Sequence, residues 1–252
     1  MTHKSRNDKT STIKFLMILT VILMVILVLG ASYIIFKEVS KVSSPQQINV
    51  DVQEEVKYEN DADEYRLITL VNADYPLSSN FKLNLVNFMN IKCDKEMVAN
   101  LSQLLTDAKN EGFDFSLIKG YVDKDTQQVE YENKVLELMA SGESKIKASA
   151  EALKTVQPGN CSEYQTGLAI DISKTGLSEN EDFSQTKEFN WLYANCVNYG
   201  FILRYPANKT DKTGAYFNPN RFRYVGIENA KKMRAFDMCL DEYSLYIREQ
   251  KI

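Results

Sequence analysis

The sequence predicts an α+β domain. Three observations predict it: several segments carry apolar residues at helical spacing, short alternating or apolar runs lie between them, and no regular strand–helix alternation of the kind that builds a parallel sheet is present. The composition is that of a folded body, 44% hydrophobic, 25% charged and 11% aromatic over 252 residues. That length allows one ordinary domain plus appendages.

Taken in order, 65–72 (YRLITLVN) alternates enough for a first strand or an extended leading segment. Segment 95–111 sets Met97, Leu101, Leu104, Leu105 and Ala108 on one helical face and stops at Gly112. Segment 113–118 (FDFSLI) alternates as a strand, and 126–141 reads as a helix before Gly142. Segment 168–172 (LAIDI) is a short strand of the buried type. A helix over 188–199, closed by Gly200, leads into a strand over 201–205 that ends at Pro206. A further strand covers 221–225, and 229–236 and 240–249 are closing helices. Trp191, Tyr199, Phe201, Phe222 and Tyr224 sit in patterned elements and read as core; Arg204 and Arg223 read as partners of buried acids.

The N-terminal part has a different character. Residues 1–14 hold Lys4, Arg6, Lys9 and Lys14 against Asp8, a net +3, so the remainder carries −7 of the total −4. That acidic remainder excludes a nucleic-acid partner. Residues 15–36 (FLMILTVILMVILVLGASYIIF) hold no charge, long enough for a bilayer-spanning helix. The sequence thus predicts a cytoplasmic tail over 1–14, a transmembrane signal anchor over 15–36, a flexible polar stalk over 37–64 and an extracytoplasmic domain over 65–252. This amounts to a single-pass protein of the cell membrane whose tether is either kept or cleaved.

Four cysteines, Cys93, Cys161, Cys196 and Cys239, allow three disulfide pairings and fit no CxxC metal pattern. One or two disulfides are expected, with buried free thiols as the alternative. The chain has a single histidine, His3, so no site in the folded part can use imidazole as ligand, base or proton shuttle.

Several segments resemble one family. Ser162 to Asp171 (SEYQTGLAID) is similar to the SxHxxGxAxD signature of VanY-type D-alanyl-D-alanine carboxypeptidases. Phe217 to Gly226 (FNPNRFRYVG) resembles that family's YEPWHFRYVG segment. Gly120-Tyr121 with Gln127, Leu70-Val71-Asn72 with Pro76-Leu77, the block Trp191 to Pro206, and Asp241-Glu242-Tyr243 match further blocks, so the resemblance covers about residues 66–246. It implies a small mixed or antiparallel sheet flanked by helices, in a bacterial, Gram-positive type of envelope protein.

The family resemblance also implies a zinc site with three protein ligands and a water whose proton a carboxylate takes. The ligand positions here are Tyr164, Asp171 and Arg221, and the base position is Asn218. Only Asp171 is a ligand type, Arg221 offers no lone pair, and Asn218 accepts no proton. Neither a catalytic residue nor a bound metal is therefore expected, and the family's zinc is expected to be absent. A charge-assisted contact from Arg221 to Asp171 is expected in its place. Where the family has Ser and Arg beside Gly-Tyr, this chain has Lys119 and Val122. Ser162, Gln127, Tyr121, Asp171, Arg221 and Lys119 remain as candidate peptide-binding residues.

Three function classes follow. The first is a pseudoenzyme that binds peptidoglycan stem peptides or regulates wall metabolism. The second is a scaffold with a closed cleft that binds an envelope protein. The third is an active metallo-carboxypeptidase with an unusual site. An open pocket holding Ser162, Gln127 and Arg221 distinguishes the first from the second.

Overall fold

A computed structural model describes residues 63–250, all within one compact unit. The described part begins with a one-turn helix α1 (Asp63–Arg66), then a hairpin of β1 (Leu85–Phe88) and β2 (Ile91–Asp94). Helix α2 (Lys95–Asn110) follows without a break, because Asp94 is its N-cap and accepts from the Glu96 backbone N–H at 3.0 Å. Then come β3 (Phe115–Lys119), α3 (Lys124–Ala140), α4 (Lys145–Ala152), β4 (Ala169–Lys174), α5 (Lys187–Asn195), β5 (Phe201–Tyr205), the single turn α6 (Thr210–Thr213) and β6 (Asn218–Tyr224). Helices α7 (Ile227–Ala235) and α8 (Leu240–Glu249) close the domain.

The main sheet has four strands in the order β3-β4-β6-β5, every pair antiparallel. One face carries Leu117, Ile170, Ile172, Leu203 and Phe222, which share a core with Met97, Leu101 and Leu104 of α2 and Leu192 of α5. Burying each such side chain contributes about 1.5–3 kcal/mol. The expected aromatic core is present, with Trp191, Phe201, Phe222 and Tyr224 buried and Tyr199 packed against them.

The opposite face is polar at one end. Cross-strand partners share a face of a sheet, and the register sets Lys119 opposite Asp171 and Asp171 opposite Arg221. A turn of 3₁₀ helix, Glu163–Thr166, is tied to strands of this face. It ends at Gly167, whose φ of +71° and whose approach to Leu85 and Asp94 leave no room for a Cβ.

That turn is tied down by charge. Glu163 receives Arg204 Nε at 2.5 Å and Arg223 Nη1, while Arg204 Nη1 reaches Asp241 Oδ2 at 2.7 Å. Glu163, Arg204 and Arg223 have no exposed side-chain surface. Arg223 Nη2 also donates to the carbonyls of Leu67 and Thr69. Turn, sheet, leading segment and α8 are thus joined through one network, as expected for Arg204 and Arg223.

Several expectations are corrected. Residues 65–72 form no strand: 65 and 66 end α1, 67 and 68 turn, and 69–71 run as the non-strand leading segment, with the Leu67 and Thr69 carbonyls serving Arg223. The β1–β2 hairpin and α4 are additions, while the sheet is antiparallel, one of the two forms the family resemblance implies. All four cysteines are free and buried, so the expected disulfides are not formed. Burial pushes the Cys196 thiol up to about 12 and the Cys93 and Cys239 thiols up to about 11, which makes them core residues rather than nucleophiles. The membrane localisation is also not supported. Among the described residues no helix is long and apolar enough to cross a membrane. The anchor expected at 15–36, with the tail and stalk around it, lies outside the described residues.

Burial alone would raise the Glu163 carboxyl, but Arg223 and Arg204 hold it below its ordinary 4.5. A depressed carboxylate stabilises the fold above its unfolded value, and that contribution fades as pH falls through the folded one. Acid titration followed by circular dichroism is therefore expected to show an unfolding limb below about pH 4 that is flatter in Glu163→Gln than in the wild type. At neutral pH the same substitution leaves two buried guanidiniums short of charge and is expected to cost about 3–5 kcal/mol in urea unfolding. A cost under about 1 kcal/mol would show that the network is not holding the turn.

Candidate functional site

Tyr164, Asp171 and Arg221 come together on the polar face. The short 3₁₀ turn presents Tyr164 because Ser162 caps it, its Oγ accepting the Tyr164 backbone N–H at 3.4 Å. The β4–β6 register presents the other two. Tyr164 donates its hydroxyl to Asp171 Oδ2 at 2.5 Å. Arg221 Nε donates to Asp171 Oδ1 at 3.0 Å, and Nη2 donates to the Tyr164 hydroxyl oxygen and, at 3.4 Å, to Asp171 Oδ2. The expected contact between Arg221 and Asp171 is thus made, and the tyrosine hydroxyl sits between the two charges.

Two cations bracket the Tyr164 ring. The Arg221 guanidinium lies 4.2 Å from the ring centroid and the Lys119 ammonium 4.5 Å. Since Lys119, Asp171 and Arg221 form a row across three strands, the ring stands over the middle of that row. Glu130 of α3 holds Lys119 Nζ at 2.6 Å, and buried Tyr205 packs 5.7 Å from Arg221 on the other side. Neither Glu130 nor Tyr205 is among the sequence-derived site residues; the pairing of α3 with β3 and of β5 with β6 has no local signature.

The protonation states follow from this packing. Burial pushes the Tyr164 phenol well above its ordinary 10; Asp171 adds to this and the Arg221 charge opposes it, so the hydroxyl stays protonated. Burial alone would loosen the Arg221 proton, yet Asp171 and Tyr164 outweigh it and the cation is held more firmly than usual. The site is a neutral phenol between a fixed cation and a carboxylate.

The other candidates are elsewhere engaged. Ser162 is 2% exposed and spent on its cap. Gln127 is 1% exposed and donates to the Gln157 carbonyl at 2.7 Å, leaving its own Oε1 buried without a partner. Tyr121, in the loop after β3, lies under the Lys92 ammonium at 5.6 Å, and its N–H donates to the Lys92 carbonyl. Asn218, at the start of β6, accepts the Asn220 backbone N–H at 3.0 Å and closes a local turn.

A catalytic zinc needs three donors from sulfur, imidazole or carboxylate groups and one open position. Here a single carboxylate is available and both its oxygens accept hydrogen bonds. Among the described residues no group of three or more His, Cys, Asp or Glu side chains lies together to hold a metal ion. The donor set does not fit zinc. Arg221→Ala strands Asp171 and exposes Tyr164, and is expected to lower stability by about 3 kcal/mol in denaturant unfolding. Tyr164→Phe, which removes one hydrogen bond, is expected to lower it by about 1–2 kcal/mol. The reverse order would mean that the tyrosine, not the guanidinium, holds the site.

The family described as VanY, D-alanyl-D-alanine carboxypeptidase, matches residues 90–227. A D-alanyl-D-alanine carboxypeptidase of Enterococcus faecalis (strain ATCC 700802 / V583) is 35% identical over 188 residues, 74% of this chain and 68% of that protein. Among solved structures, a variant of the vancomycin-resistance D,D-pentapeptidase VanY from a VanB-type cassette, in complex with Zn(II), is 33% identical at a TM-score of 0.65. That match covers 71% of this chain and 98% of the other. VanYB in complex with D-alanine-D-alanine is 34% identical at a TM-score of 0.65, covering 70% and 96%. The chain spans about two thirds of the length of the carboxypeptidases it matches, 66% of one and 68% of another. With this fold and these matches, the chain belongs to the VanY family of D-alanyl-D-alanine carboxypeptidases.

Proposed function

We propose that this chain is a non-hydrolytic VanY-family domain that acts by binding peptidoglycan stem peptides. The observation that carries the reading is the Arg221–Asp171 pair with the Tyr164 hydroxyl between them. Hydrolysis in this family's manner requires a Lewis acid beside the scissile carbonyl and a base for the attacking water. A protonated phenol, a guanidinium and an amide at Asn218 supply neither. Binding is supported by relatives: VanYB is solved with D-alanine-D-alanine, and a VanXY-type D,D-dipeptidase with a phosphinate analogue of it. The partly exposed cations of the site, Lys119 at 29% and Arg221 at 12% side-chain exposure, suit an anionic peptide end.

A second reading, a scaffold for an envelope protein, draws support from the burial of Ser162 and Gln127. It predicts no affinity for stem peptides at all.

The test is elemental analysis of the purified full-length protein together with D-alanine release from a stem pentapeptide. Substoichiometric zinc, no release, and a melting temperature unmoved by either zinc or chelator are expected. One equivalent of zinc with D-alanine release would overturn the reading. Calorimetry with the same pentapeptide separates binder from scaffold, a measurable heat favouring the first.

A further inference from the structure

We propose that Arg221 is also the anion receptor of this site, taking the dication's part toward a ligand as well as toward Asp171. The inference rests on the stem-peptide reading and names the group gripped, a free carboxylate.

A guanidinium has five N–H donors in a rigid plane. In Arg221 the inner donors are spent: Nε and Nη2 hold Asp171 and the Tyr164 hydroxyl. Nη1 makes no hydrogen bond to the described residues. It is also absent from the buried side-chain atoms that lack a partner, so solvent reaches it. The Arg221 side chain keeps 12% of its surface exposed, and Asp171 and the Tyr164 ring hold the plane of its guanidinium in place. A donor pair fixed before the ligand arrives gives up little entropy on binding.

The second cation stands across the same ring. Lys119 Nζ has one partner, Glu130, and keeps donors free. Val122, where the family resemblance expects the arginine that holds a peptide carboxylate, is aliphatic. Lys119 and Arg221, neither of them the residue the family resemblance implies at its position, are the donors left for that duty. Asp171 and Glu130 each offset one of them. The local charge is therefore close to zero, so recognition rests on the free donors rather than on net charge, and a doubly charged phosphate is disfavoured more than a single carboxylate.

The test is calorimetry on the full-length protein with a stem pentapeptide ending in a free D-alanine carboxylate and with its C-terminal amide. The acid is expected to bind at least about tenfold more tightly than the amide. Arg221→Met, its fold checked by circular dichroism, is expected to erase that preference. Arg221→Lys keeps the charge but loses the fork and is expected to retain a reduced preference, and it decides the matter if the methionine variant does not fold. Lys119→Met is expected to weaken acid binding by about threefold. Equal binding of acid and amide, or a full preference surviving in Arg221→Lys or Arg221→Met, overturns the receptor role while leaving the stem-peptide reading intact. Binding of neither peptide overturns both.

Discussion

A buried glutamate that faces two buried guanidiniums is the interaction on which the rest of this domain depends. Glu163 would be costly to bury alone, and Arg204 and Arg223 would be costlier still without it. Because each group is fixed by the others, the turn carrying Glu163 is located against β5 and β6 to within hydrogen-bond tolerance. Asp241 brings in α8, and the Leu67 and Thr69 carbonyls bring in the leading segment. Such a network contributes less to net stability than to uniqueness, since any displaced arrangement leaves a charge unpaired in the interior.

The Tyr164 site stands immediately beside that network. Tyr164 follows Glu163 in the chain, Arg221 precedes Arg223 by two residues on the same face, and Tyr205 follows Arg204. The two clusters have different exposure and so different tasks. The inner one is sealed and structural. The outer one keeps 12% of the Arg221 side chain and 16% of the Asp171 side chain in contact with solvent. Rigidity in the first gives precision in the second.

Much of this was legible in the sequence, because the signals were local. Helix α8 falls on the predicted residues, 240–249, and α2 differs by one residue at its end, where Gly112 supplies the stop. The family resemblance placed Tyr164, Asp171 and Arg221 in one site, and the position of a cation beside the retained carboxylate gave the expected Arg221–Asp171 contact. What escaped was non-local. The β1–β2 hairpin is two four-residue strands around Met89-Asn90, with no strong turn dipeptide to announce it. Segment 65–72 alternates like a strand, yet its carbonyls are claimed by Arg223, more than 150 residues away in the chain, before any sheet can use them. Glu130 was invisible as a partner of Lys119 for the same reason. Cysteine spacing carried no information on pairing, and burial as single thiols decided the outcome.

An arginine at a position where the family resemblance implies a metal ligand changes the logic of a site more than its charge. A metal ion offers an open coordination position, so it polarises whatever occupies that position and exchanges it rapidly. A guanidinium offers donors in a fixed plane and no vacant orbital, so it recognises an anion by shape but does not activate it. With Nε and Nη2 committed inward, this arginine has lost the freedom to follow a reacting group through a change of geometry. What complements a ground-state carboxylate well, and a developing tetrahedral oxyanion no better, lowers a dissociation constant without lowering a barrier. On the proposed reading, the arginine that fits no hydrolytic role would favour occupancy of the site over turnover.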